Sequence, residues 1–128
     1  MNVDQWVEAY RLAWEHRDPE AAAALFTTDG SYRSYIIEEP HHGRDGVAAY
    51  WRSVTETQSA VDVRMGRPFV DGSRVSVEFW TTMLVSGEPV TVPGCLLLDF
   101  DEAGLCLRLR EYWHYIEGHF EPPSGWGE

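Results

Sequence analysis

The sequence contains no lysine: its ten basic residues are all arginine, set against 21 acidic ones for a net charge of −11. The missing lysine excludes an amine nucleophile or Schiff base. The charge imbalance repels phosphate backbones and anionic lipid, so neither nucleic acid nor a membrane is an expected partner. No apolar run approaches the roughly 20 residues of a membrane-spanning helix. The N-terminus lacks the basic-then-apolar order of a secretory leader. Cysteine is scarce. Cys95 and Cys106 fall three or four residues out of alignment across the hairpin inferred below, too far for a disulfide, so both are read as free thiols of a cytoplasmic protein. A glycine-rich phosphate loop, a nucleophile elbow and a Cys/His dyad are also missing, and no cofactor is expected.

Aromatic residues, by contrast, are plentiful, with six Trp, six Tyr and five Phe in 128 residues. That much ring area cannot all face water, so residues 1–128 are read as one domain closing over its own core. Val3, Trp6, Val7, Tyr10, Ala13 and Trp14 recur at helical spacing and predict a helix over 3–16. Asp18-Pro19 caps a second, short helix through Ala21–Phe26, which Asp29-Gly30 stops. A strand follows at Ser31–Ile37, then a loop through His41-His42-Gly43 and a third helix at about Asp45–Gln58. Val47, Tyr50, Trp51 and Val54 mark its buried side. The rest reads as four long strands: Ala60–Val70, Arg74–Val85, Pro89–Asp101 and Leu105–Glu117. Residues 118–128 form a tail without regular structure, with Trp126 expected to dock in an apolar groove. Helices first and a strand meander after is an α+β order. The expected architecture is a cone: a curved antiparallel sheet with three N-terminal helices enclosing a pocket.

This order, with the local text Trp6–Trp14, Leu25-Phe26…Asp29, Glu39-Pro40…Gly43 and Tyr50-Trp51, resembles the nuclear transport factor 2-like superfamily. Within it the chain is most similar to the bacterial SnoaL-like and ketosteroid-isomerase-like branch, over residues 3–117. The resemblance implies a homodimer and a small-molecule site. Ketosteroid isomerases keep a tyrosine on the first helix as oxyanion donor, and Tyr10 matches it. Their general-base aspartate falls at Ser34 and their second acid at Leu96. Neither replacement can take a carbon-bound proton, so isomerisation by that mechanism is not expected.

Facing can be worked out independently of any family. A turn at Gly87-Glu88 sets Phe79 opposite Leu96, Val77 opposite Leu98 and Thr81 opposite Gly94. A turn at Glu102-Ala103 sets Leu96 opposite Leu109, Leu98 opposite Leu107 and Gly94 opposite Glu111. Cross-strand partners share a face, so the apolar rows define the concave side. Glu111 is then an acid on an apolar face, flanked by Met83 and Trp113, with Gly94 leaving room before it. Lost hydration would raise its pKa into the range a general acid or base needs. Glu111 and Tyr10 are the candidate catalytic pair. Trp14, Tyr32, Ser34, Trp51, Phe79, Leu96, Leu109 and Trp113 are the candidate ligand walls. The alternative for each is ordinary core packing, and for Glu111 a structural hydrogen bond to Tyr10 or Tyr32. The outward face, with Glu78, Trp80, Arg108 and Arg110, suits a dimer interface. His41 and His42 point opposite ways on an extended loop, so no metal site is expected.

The reading is therefore a pocket for a small apolar molecule, used for acid/base chemistry or for binding alone. A third possibility is a dimeric scaffold that fills the cavity with its own side chains.

Overall fold

Each helix starts where its capping chemistry allows. In the computed structural model, which describes residues Met1–Glu128, Asn2 and Gln5 form a reciprocal capping box that opens α1 (Val3–Glu15). The Asp18 side chain accepts from Ala21 N to open α2 (Pro19–Ala23). α3 spans Gly43–Thr55. The strands are β1 (Phe26–Arg33), β2 (His41–His42), β3 (Gln58–Met65), β4 (Phe69–Asp71), β5 (Arg74–Val85), β6 (Glu88–Phe100), β7 (Cys106–Trp113) and β8 (Ile116–Glu117). They form one curved, unclosed sheet in the order β2-β1-β7-β6-β5-β3, with β4 on β5 and β8 on β6. The α+β architecture expected from the sequence is present. The antiparallel pattern has one exception, since β1 runs parallel to β7.

The core lies between α1, α3 and the concave face. Trp6 anchors it: fully buried, it donates from Nε1 to Leu25 O at 2.9 Å and stacks on Tyr10 at 5.5 Å. An indole buried with its N–H satisfied keeps its whole apolar gain.

Several boundaries differ from the sequence reading. His41-His42 is a short strand and not loop, and the third helix stops at Thr55. Leu105–Glu117 divides into β7 and β8, the second of which turns back to pair with β6. The second helix ends at Ala23, and Phe26 already begins β1. β-branched Thr27 and Thr28 favour the strand, and Asp29-Gly30 lies inside it at a bulge instead of stopping a helix. Tyr35, Ile36 and Ile37 leave the strand for an exposed turn, which the Arg33 guanidinium ties down through the carbonyls of Ile36 and Glu38. Ala60–Val70 is two strands, because Pro68 has no N–H to continue the ladder and the Arg67 N–H is taken by Gly127 O in the tail.

The hairpin registers are offset from the expected ones by two residues. The first turn is Ser86-Gly87, both with positive φ as a two-residue hairpin requires, so Val77 faces Leu96 and Phe79 faces Gly94. At the second turn Asp101 Oδ1 accepts from Ala103 N and Leu105 N, each at 2.9 Å, which makes the loop longer than expected. Leu96 therefore faces Glu111, Leu98 faces Leu109 and Gly94 faces Trp113. A slip of two preserves the faces where a slip of one would exchange them. One residue is displaced: a bulge between Asp99 and Phe100 turns Cys106 inward and leaves Leu107 exposed. Gly94 also serves a different purpose from the one expected. A Cβ there would sit 2.4 Å from Phe79 Cζ and 2.6 Å from Tyr112 O, so its space belongs to the Phe79 ring.

The tail is packed against the convex face. Trp80 Nε1 donates to Phe120 O, Trp126 meets the Trp80 ring edge-to-face at 5.9 Å, and the Arg64 guanidinium lies 5.7 Å from the Trp126 ring centre.

Candidate functional site

Between the helices and the concave face lies a cavity of about 170 Å3. α1 supplies Tyr10 and Trp14 because they are one turn apart on its buried stripe. α3 supplies Tyr50, Trp51, Val54 and Thr55. The sheet supplies Tyr32, Phe79, Met83, Val92 and Glu111, while the exposed Trp113 and Tyr115 mark the opening. No arginine or histidine is among the lining residues.

Glu111 is the one charged group in this wall, and only 9% of it is exposed. The Tyr32 hydroxyl donates to its Oε2 at 2.8 Å. The parallel β1–β7 pairing makes this possible: Tyr32 sits beside Leu109, one inward step from Glu111. Tyr50 approaches from α3, its ring 5.1 Å from that of Tyr32 and backed by the stacked His41 imidazole at 4.5 Å. Burial pushes the Glu111 carboxyl up to about 8, against the opposing pull of the Tyr32 and Tyr50 hydroxyls. Burial, and after it the charge of Glu111, hold the hydroxyls of Tyr10 and Tyr32 well above the usual phenol range, so they stay hydrogen-bond donors. The site is thus an acid that titrates near neutrality, ringed by hydroxyls that do not.

Trp14 Nε1 donates to Gln58 Oε1 at 3.0 Å, whereas Trp51 Nε1 is fully buried and finds no partner within the chain.

Of the expected site residues, Glu111, Tyr10, Trp14, Tyr32, Trp51, Phe79 and Trp113 come together in the wall. Leu96 and Leu109 are fully buried in the core and do not line it. Ser34 lies outside the wall because the strand ends before it, and its carbonyl accepts from Trp113 Nε1 at 2.7 Å. Tyr50, Gln58 and Tyr115 line the cavity but were not among the expected site residues. Tyr50 was legible, since it shares the spacing of Val47, Trp51 and Val54. Gln58 was taken for the end of a helix and instead begins β3.

The chain belongs to the SnoaL-like domain family, whose profile matches residues 6–109. No curated protein matches the sequence. Among solved structures, it is similar to a hypothetical protein with a ketosteroid isomerase-like fold from Catenulispora acidiphila, solved in complex with trimethylamine. That similarity has a TM-score of 0.77 and 23% identity over 88% of this chain and 86% of the other. SalBIII, an epoxide hydrolase/cyclase-like enzyme of pyran ring formation in salinomycin, has a TM-score of 0.77 at 17% identity, over 89% and 94% of the two chains. The RV0760c protein of Mycobacterium tuberculosis has a TM-score of 0.74 at 17% identity, over 86% and 89%. At these identities the likeness concerns the fold. Measured against ketosteroid isomerases, Tyr10 lines the cavity and the places at Ser34 and Leu96 do not. The acid of this cavity is instead Glu111, directly across the β6–β7 pair from Leu96.

Proposed function

We propose that this chain binds a compact small molecule in the aromatic cavity and exchanges a proton with it through Glu111. The observation behind this reading is a single carboxylic acid in an otherwise apolar wall, hydrogen-bonded to Tyr32 and without a cationic side chain beside it. A structural carboxylate would be paired or placed in water, because an isolated buried charge is costly. Glu111 has no cation beside it; it is held instead by the Tyr32 hydroxyl, by its raised pKa and by the cavity in front of it. Near neutral pH it is held mostly as the acid and can ionise at little cost, so it could give or take a proton. Tyr10 would donate to an oxygen that becomes negative on the ligand.

The volume limits the ligand. An apolar cavity of about 150 Å3 holds a benzene-sized molecule, so about 170 Å3 suits roughly six to ten heavy atoms and not a fused tetracycle. The trimethylamine of the Catenulispora protein is smaller than this. The second reading, binding without chemistry, requires the same cavity and is favoured by the absence of a second acid or base in the wall.

The same reading includes a cytoplasmic homodimer. Its support is the pair of free cysteines and the convex face carrying Glu78, Arg108 and Arg110, beside a Trp80 that the tail already partly covers. Light scattering at micromolar concentration tests the assembly, and a particle of about 15 kDa would refute it.

The deciding experiment is a screen of compact ligands read by the indole and phenol signals of the cavity, repeated with Glu111→Gln. Catalysis predicts turnover that vanishes in a folded E111Q. Binding alone predicts altered affinity with no turnover in either protein. No response from any compact ligand would end both readings.

A further inference from the structure

Glu111 shares the cavity wall with rings from four directions: Tyr10 and Trp14 from α1, Tyr50 and Trp51 from α3, Phe79 from β5 and Trp113 at the opening. Aromatic faces carry negative quadrupole charge and attract cations, most strongly when both are out of water. No positive side chain reaches this space. The groups facing Glu111 in this cavity are the hydroxyls of Tyr32 from β1, Tyr10 from α1 and Tyr50 from α3, with Leu96 across the sheet on β6. A neighbouring surface cavity that Glu111 also borders carries Ser34, Glu78 and His114. His41 packs behind Tyr50, Glu38 lies near Tyr50, and Arg17 is held at the Gln58 carbonyl. A carboxylate and several aromatic rings thus share one wall, and no cation of the chain is among the residues lining it.

We propose that the ligand of this cavity is a compact organic cation, an alkylated ammonium of roughly five to seven heavy atoms. Its charge would meet Glu111, and its alkyl groups would meet the rings of Trp14, Trp51, Phe79 and Trp113. This rests on the reading of the cavity as a ligand site and names its ligand class. The acidic surface, at a net −11, adds attraction at long range. Binding a cation favours ionised Glu111, so affinity rises with pH toward about 8 and then levels, and below that each binding event releases a proton.

The test is calorimetric titration with choline chloride and with its neutral isostere, in which a tert-butyl group replaces the trimethylammonium. At about pH 8 choline should bind at least about tenfold tighter than the isostere, and the gap should narrow toward about pH 6. Near pH 7, heats in buffers of different ionisation enthalpy should show at least about half a proton released, approaching one as the preference for choline grows. Glu111→Gln should remove most of the preference and all of its pH dependence, and if that variant fails to fold, the wild-type pH dependence decides alone. Equal binding of the two probes would overturn the cation inference and leave the pocket reading standing. Binding of neither would overturn both. A choline preference that persists undiminished in E111Q would belong to the aromatic rings or the acidic surface without Glu111 and would overturn the pairing of the cation with this carboxylate.

Discussion

Replacing Glu111 by Gln should change how stability depends on pH more than it changes stability itself. In the unfolded chain this carboxyl ionises near 4.5, and in the fold burial pushes it up to about 8. Between those values the folded state holds a proton that the unfolded state has lost, so stability falls as pH rises. The contribution is complete below about pH 4.5, declines progressively and levels off above about 8. At about 1.36 kcal/mol per pH unit the whole difference approaches 5 kcal/mol. The carboxyl borders a cavity that water can enter, so about 2–3 kcal/mol is the expected reading. That is a large part of a small domain's stability of about 5–15 kcal/mol. Gln keeps the shape and cannot ionise. Urea unfolding at about pH 5, 6.5 and 8 should therefore show wild type losing stability across the series, with E111Q losing about 2–3 kcal/mol less. The two proteins should be closest at pH 5 and furthest apart at pH 8. Parallel profiles would refute the argument, because they would mean that Glu111 titrates as an ordinary surface acid.

Tyr32→Phe removes the 2.8 Å hydrogen bond to Glu111, so the midpoint of that pH profile should move upward, with a loss of about 1–2 kcal/mol measured below pH 5. Gly94→Ala drives a methyl into the Phe79 ring and the Tyr112 carbonyl and should cost about 1–3 kcal/mol in urea unfolding; adding Phe79→Leu should recover part of it. Trp126→Ala takes away the ring that packs on Trp80 and under Arg64. Proteolysis at the tail should then speed up while the global transition shifts by about 1 kcal/mol or less.

The amphipathic stripes of α1 and α3, the turn residues and the alternation along β5, β6 and β7 were local patterns, and local patterns were enough for the α+β order and for the concave face. That is why Glu111 could be assigned inward from hairpin arithmetic even though the arithmetic was two residues off. Side-chain facing repeats every two residues, so an even error in a turn leaves it intact. Leu107 shows where this tolerance ends: one bulge at Asp99/Phe100 reversed it, and nothing in the strand's own residues announced the bulge. The partners of Glu111 lay beyond any local pattern. Tyr32 reaches it only because β1 docks parallel to β7, a pairing between segments nearly eighty residues apart that no hairpin dictates. Tyr50 reaches it because α3 crosses the sheet at that point. The strand end that leaves Ser34 outside the wall, the Phe79 ring seated over Gly94 and the cavity volume were likewise settled by packing. Residue types and their periodicity decide which side of an element is apolar. Which residues of distant elements meet across that side, and how much space remains between them, depends on how whole elements settle against one another.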